Sequence, residues 1–276
     1  MQFFDYDTIN IKLPERSKDS HKGISGKLLI IGGGKGMGGA AILSSEAALM
    51  SGTGLVHLHT HNSNVEASLK RNPEIMALGI EDEYSFPKDI KVLLFGPGLE
   101  NKNWSKEIFK KVIMDNSFES VILDAGVLNF LNEISLENKN LFNNLILTPH
   151  PGEGAKLLNR TVEQIQNNRT NSAIEISKKY NANVILKGYN TIVVSSDQKN
   201  ILVCSEGGPE LATGGTGDVL AGLVSSFVAQ GMKAFDSCLL ATSVHARAGE
   251  VFKKNIGEKG LNASALIPIV RELINA

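Results

Sequence analysis

Apolar positions in this chain fall into short, nearly continuous runs, separated by longer stretches in which they recur every three or four residues. Residues 28–31, 55–58, 92–95, 121–123, 145–147 and 184–186 are runs of the first kind, and all but 55–58, which His57 interrupts, are apolar throughout. Unbroken apolar runs of this length predict strands covered on both faces. Between them, residues 40–50, 104–114 and 162–180 carry helical spacing, with Gly52 and Gly54 closing the first. Strands alternating with helices predict an α/β fold in three layers, an α/β/α sandwich around a mostly parallel central sheet. After Leu186 the rhythm changes. Lys187-Gly188-Tyr189-Asn190 separates 184–186 from a second β-rich run at 191–195, and 201–203 adds a third, which predicts an antiparallel edge. Helices starting near Asp218, Phe235 and Asn262 complete the pattern, and the polar stretch 129–144 reads as a loop or surface helix rather than a linker.

In a parallel sheet, chemistry gathers beyond the carboxyl ends of the strands, where the loops face one crevice. Five segments of interest fall there: the glycine run Gly32 to Gly39, Gly96-Pro97-Gly98, Asp124, Thr148-Pro149-His150-Pro151-Gly152-Glu153, and Lys187-Gly188. A sixth, Thr213-Gly214-Gly215-Thr216-Gly217-Asp218, runs directly into a helical pattern. Glycines before a helix let successive N–H groups turn towards one point, where the helix dipole adds positive potential and an anionic phosphate can sit. Asp218 ends this cradle where a Walker loop would place Lys-Ser/Thr. It is therefore either a base that takes the proton of a hydroxyl during phosphoryl transfer, or simply the N-cap of the helix.

Each remaining feature has two readings. Gly34-x-Gly36-x-x-Gly39 has the spacing of a dinucleotide fingerprint, but the next strand ends His57-Leu58-His59-Thr60-His61 instead of in a ribose-binding acid. Substrate contact is the favoured reading of that run, with helix packing the other. His150, held between two prolines, binds a substrate polar group or bonds to nearby backbone. Glu153 helps hold a hydrated magnesium ion, or is a first-turn glutamate favoured by the helix dipole. His57, His59 and His61 alternate on one face without a neighbouring carboxylate or cysteine, so surface histidines are expected rather than a metal site. His245 reads as packed or capping, and Lys187 as a point charge for phosphate.

Composition narrows the partner. With 28 Lys+Arg against 29 Asp+Glu, a net charge of -1 offers no field for nucleic acid or an anionic membrane, so a small molecule is expected. Cys204 and Cys238 are too few for a disulfide framework and read as buried thiols. The acidic, mixed N-terminus is unlike a signal peptide, no apolar run reaches the roughly 18 residues of a membrane span, and a cytoplasmic location is expected. Length alone admits two smaller domains; one domain over 1–276 is the preferred organisation.

Taken together, Gly32-Gly33-Gly34-x-Gly36-Met37-x-Gly39-Ala40-Ala41, Gly96-Pro97-Gly98-Leu99, Leu123-Asp124-Ala125, Leu147-Thr148-Pro149-His150-Pro151-Gly152-Glu153, Leu186-Lys187-Gly188 and Ala212-Thr213-x-Gly215-Thr216-Gly217-Asp218 resemble the NAD(P)H-hydrate dehydratase family of the ribokinase-like superfamily. The resemblance runs from about Gly26 to the last helix. It implies repair of hydrated NADH or NADPH with ADP or ATP as co-substrate and Mg2+ as cofactor. It assigns Asp218 as catalytic base, and Gly214, Gly215, Thr216 and Gly217 as the hole for the transferring phosphoryl group. Lys187, Gly188, Tyr189, Asn190, Thr191 and Gly217 would contact the nucleotide; Ala40, Gly98, His150 and Asp218 would contact the hydrate. Glu153 would reach the metal through water. It further implies a homo-oligomer and an epimerase supplied as a separate protein. Two positions depart from the family pattern: Gly126 replaces a frequent second acid, and Ala263-Ser264-Ala265 replaces Ala-Ser-Asp. The nearest rival is a kinase of the same superfamily acting on a thiazole or pyrimidine vitamin precursor. A non-catalytic dinucleotide-binding module is the second, disfavoured because simple binding gains nothing from an anion beside phosphate.

Overall fold

Residues 2–81, 84–100, 102–115, 117–133 and 142–276 are described by the computed structural model. Much of the polar stretch 129–144 lies outside them. In chain order the regular elements are β1 (Gln2–Phe4), β2 (Lys27–Ile31), α1 (Gly38–Met50), β3 (Leu55–Thr60), α2 (Val65–Arg71), β4 (Met76–Gly79), β5 (Val92–Phe95), α3 (Asn103–Met114), β6 (Ser120–Leu123) and β7 (Asn144–Leu147). Then follow α4 (Pro151–Leu158), α5 (Val162–Asn167), α6 (Arg169–Tyr180), β8 (Asn183–Leu186), β9 (Ile192–Val194), β10 (Ile201–Cys204), α7 (Thr216–Ala229), α8 (Ala234–Asn255) and α9 (Ala263–Leu273).

The strands form one sheet in the order β1-β10-β9-β8-β7-β6-β5-β2-β3-β4. Pairing is parallel from β8 to β4 and antiparallel at β8/β9 and β9/β10. The antiparallel end is not the outermost, because β1 adds itself parallel to β10, with Phe4 opposite Cys204. Alternate side chains of each strand feed two cores. Leu28 and Ile30 pack with residues of α1, α7, α8 and α9 on one face, whereas Leu29 and Ile31 pack with α3, α4, α5 and α6 on the other. Both cysteines are free and buried. Among the described residues, no helix is long and apolar enough to cross a membrane.

Three expectations need correction. The helix expected over 162–180 is two helices, because Asn168 leaves helical geometry at φ -145 and ψ 60. Its side effect is a sharp turn that aims Arg169 back at the β8 end. The three histidines do not share one strand face: His61 lies beyond β3 and its ring caps the following turn through Ser63. Nor is His59 a surface residue. It is 4% exposed, and its Nδ1 lies 2.5 Å from the Tyr84 hydroxyl.

The crossing of α1 over α7 positions the phosphate cradle. Gly222 faces the backbone of α1 so closely that a β-carbon there would stand 2.4 Å from the Ser44 carbonyl oxygen. Small residues allow such an approach, and Ser44 then donates from Oγ to the Asp218 carbonyl at 2.9 Å. The N-terminal turn of α7 is thereby fixed against α1.

Candidate active site

The cradle follows from local backbone chemistry. Gly215 occupies the N-cap at φ 95, a left-handed conformation that glycine adopts without penalty. A β-carbon here would also meet Leu43 Cδ1 at 2.8 Å and Ala263 Cβ at 2.9 Å. Thr216 turns its hydroxyl inward, donating to the carbonyls of Leu211 at 2.9 Å and Thr213 at 3.0 Å. The first N–H groups of α7 have no partner within the helix and so remain available to an anion. Asp218 is not the N-cap; it lies three residues beyond Gly215, in the first turn, and makes no capping bond.

Lys187 comes to the cradle from the opposite side. Its Nζ would stand 3.3 Å from a β-carbon on Gly217, and it donates to Asp124 Oδ1 at 2.8 Å. Thr148 donates to the same oxygen at 2.6 Å. Asp124 is 2% exposed, so this carboxylate is held by two donors inside the protein. The backbone around Lys187 is fixed as well. Its N–H donates to the Pro149 carbonyl at 2.9 Å, and Arg169 donates to the Leu186 carbonyl at 3.2 Å. Gly188, at φ 136, passes under the same guanidinium, where a β-carbon would be 2.8 Å from Nη1.

Three carboxyl groups therefore surround one ammonium. Burial pushes the Asp218 carboxyl up to about 7; Asp124 and Glu153 add to the rise, and Lys187 opposes it. Burial likewise raises Glu153. For Lys187 burial acts downward, but Asp124, Glu153 and Asp218 outweigh it and hold the ammonium above its ordinary value. A carboxyl near 7 is suited to accept a proton at neutral pH and to pass it on. Replacing Lys187 with Met should therefore move the acid limb of the kcat/KM profile to higher pH and lower kcat/KM at pH 7 by at least about tenfold. An unmoved limb in the measured pH profile would mean that the ammonium does not act on Asp218.

The geometry decides between the two readings of His150 and Glu153 as far as local structure goes. His150 is the N-cap of α4: its Nδ1 accepts from Gly152 N at 2.9 Å and Glu153 N at 3.3 Å, and Glu153 Oε2 accepts from His150 N at 2.8 Å. This reciprocal box engages one edge of the ring. The ring's Nε2 stands 3.4 Å from Glu153 Oε1, and the side chain remains 56% exposed. Glu153 is buried.

A cleft of about 470 Å³ opens beside Lys187, lined by Gly188, Tyr189, Thr191 and Gly217 with Leu220 and His245. Tyr189 stands 77% exposed at its rim. Asn190 holds the tight turn at φ 54. His245 is packed, as expected, bonding through Nε2 to the Thr216 carbonyl at 2.9 Å. On the other side of the cradle, Gly98 lies against Ala40, 3.1 Å from that side chain to a β-carbon built on the glycine. Of the expected contact residues, Lys187, Gly188, Tyr189, Thr191 and Gly217 thus line one cleft. Residues 28–272 match a sequence model of the NAD(P)H-hydrate dehydratase family.

The chain belongs to that family.

An ADP-dependent (S)-NAD(P)H-hydrate dehydratase of Neisseria meningitidis is 37% identical over 94% of this chain and 88% of its own length. A bifunctional NAD(P)H-hydrate repair enzyme of Vibrio cholerae is also 37% identical, over 95% of this chain, which spans only 52% of that relative. Among solved structures, the ADP/ATP-dependent NAD(P)H-hydrate dehydratase of Bacillus subtilis, co-crystallised with ATP/Mg2+, superposes with a TM-score of 0.86 at 26% identity, covering 99% of this chain and 97% of that one. A ribokinase-like superfamily protein of Enterococcus faecalis gives 0.85 at 25% identity over 99% and 95%. The fold is accordingly the ribokinase-like α/β/α sandwich.

Family motifs led to the crevice, but not to the bonds that hold it. Thr148 fell within a segment of interest but was given no role, and Arg169 was not singled out. Arg169 lies on another helix and leaves no local signal.

Proposed function

We propose that the chain is an NAD(P)H-hydrate dehydratase that uses ADP, or ATP, to restore hydrated NADH and NADPH. The observation that supports this most directly is Asp218: a carboxyl raised to about 7, one turn inside a glycine cradle and within the field of Lys187. In this reading the nucleotide lies in the 470 Å³ cleft, its terminal phosphoryl group on the amides of Gly214 to Gly217 and beside Lys187 Nζ. The hydrate lies against Ala40, Gly98 and the exposed side chain of His150. Asp218 takes the proton of the hydrate hydroxyl as its oxygen attacks phosphorus, and the nucleotide leaves one phosphate shorter, AMP from ADP. The ring nitrogen then expels the new phosphate ester, and the neighbouring ring carbon loses a proton to solvent, restoring the double bond. Hydrate and ADP thus become NAD(P)H, AMP and phosphate.

A magnesium ion fits the charge balance, since three carboxyl groups face one ammonium here. Magnesium commonly takes one or two carboxylates plus phosphate oxygens and water. Asp124 and Glu153 are the residues that would hold it, Glu153 through water, and when bound it would neutralise charge on the nucleotide phosphates. Among the described residues no group of three His, Cys, Asp or Glu is arranged as a metal site by itself, which agrees with an ion brought mainly by its nucleotide. Residues 1–276 act as one domain, in the cytoplasm and as a homo-oligomer.

Incubation of the protein with chemically hydrated NADPH, magnesium and either ADP or ATP should restore reduced-nicotinamide absorbance, with one AMP formed per NADPH when ADP is supplied. No recovery with either nucleotide removes this reading. Consumption of nucleotide only with a thiazole or pyrimidine alcohol would replace it by a kinase.

A further inference from the structure

A second cavity, of about 210 Å³, lies beyond the carboxyl ends of β2, β5 and β3. It is bordered by Gly34, Lys35, Met37, His61, Gly98 and Trp104, together with the Glu100–Lys102 ion pair. Gly98 joins it to the hydrate side, because the same glycine lies against Ala40. Along the sheet, the Lys187 strand and the Gly34 strand are separated by β7, β6 and β5. Four strand spacings correspond to about 19 Å. The nucleotide cleft and this cavity therefore mark opposite ends of one trough with Asp218 between them. A dinucleotide that places its nicotinamide at Asp218 must extend its other half away from the nucleotide cleft.

The cavity suits that other half. It is smaller than the roughly 300–1,000 Å³ of pockets that enclose a whole drug-sized ligand, so it takes a nucleoside and not the full dinucleotide. Trp104 offers a half-buried indole and Met37 a 46% exposed thioether, two faces that pack against a flat base. His61 meets the indole edge-on, with ring centroids 6.0 Å apart, and fixes its tilt. Of the two lysines, Lys102 is paired with Glu100. Lys35 is exposed, sits between Gly34 and Gly36, and has no ion pair among the described residues.

We propose that this cavity receives the adenosine end of the hydrated dinucleotide and that Lys35 meets the phosphate on its 2′ oxygen, making hydrated NADPH the preferred substrate over hydrated NADH. The proposal rests on the dehydratase reading for its substrate, but its binding arm can be measured without turnover.

Trp104 is the one tryptophan of the chain, so its emission reports on this cavity. Titration with NADP+ and with adenosine 2′-phosphate should change that emission, NADP+ binding about tenfold more tightly than NAD+, as expected for one partly solvated charge-assisted contact. Lys35→Ala, on an exposed loop, should erase the difference and lower the ratio of kcat/KM for hydrated NADPH over hydrated NADH by about tenfold. Emission unmoved by saturating NADP+, or the same dinucleotide preference in the wild type and the variant, overturns the proposal. Failure of the dehydratase reading looks different: the wild type would repair neither hydrate, while the fluorescence titrations would still accept or reject the cavity.

Discussion

Asp218→Asn is expected to lower kcat by about 10³-fold while leaving the affinity for NADP+ within a few-fold. The substitution keeps shape and leaves the backbone carbonyl that Ser44 engages, so the cradle stays in place. What it removes is the capacity to take a proton, an effect of roughly 10²–10⁴-fold for a positioned base. Stability gives a second readout with a definite sign. A folded pKa raised to about 7 lies above the unfolded carboxylate range, so any stability from this group is present at low pH and lost as pH rises through about 7. At pH 8 the variant should therefore melt no lower than the wild type. Turnover, NADP+ titration and thermal melts at pH 8 test all three together. Parallel loss of rate and affinity, with a lower Tm, would make Asp218 a structural residue.

Gly222→Ala should be a strongly damaging small change remote from the reacting groups. One methyl group placed 2.4 Å from the Ser44 carbonyl cannot be absorbed by rotating a side chain, because the obstacle is helix backbone. Forcing α1 and α7 apart should cost about 3 kcal/mol and lower Tm by roughly 5 °C or more. It would also shift the first turn of α7, so kcat should fall further than the loss of folded protein explains. Calorimetry with an activity measurement per folded molecule separates the two, and an unchanged Tm would show that the crossing is looser than described.

Legibility in the sequence followed the range of the interactions concerned. Central strands such as β5 and β8 are apolar at every position, and burial on both faces leaves no other solution for such runs. The edges were harder. β4 carries the sequence Met-Ala-Leu-Gly with two exposed side chains, lacks β-branched residues and reads as nothing in particular. β1 exists only because β10 offers an edge some two hundred residues away. α4 has two glycines in its first turn, yet His150 and Glu153 supply the capping box that starts it. The three-residue spacing to Glu153 could have marked His150 as the cap, although histidine is an unusual residue in that role.

The candidate site divides in the same way. The glycine cradle and Asp218 are contiguous, so backbone chemistry alone revealed them. The Thr148–Asp124–Lys187 bonds join three strand ends and have no counterpart in local spacing. Charge coupling could not be inferred either. Burial, with Asp124 and Glu153 adding to it, raises the Asp218 carboxyl to about 7, and only the sheet order brings those groups together.

The pairing of β1 with β10 also sets a timetable for biosynthesis. Residues 2–4 have no strand to join until residues 201–204 have been made. At 5–20 residues per second that is a delay of roughly 10–40 s. The wall they support follows later still, since Tyr6 donates to Glu206 and Asp7 pairs with Arg247 in α8. A growing chain therefore assembles β2 to β8 before the wall of the cleft beside Lys187 can close through Glu206 and Arg247.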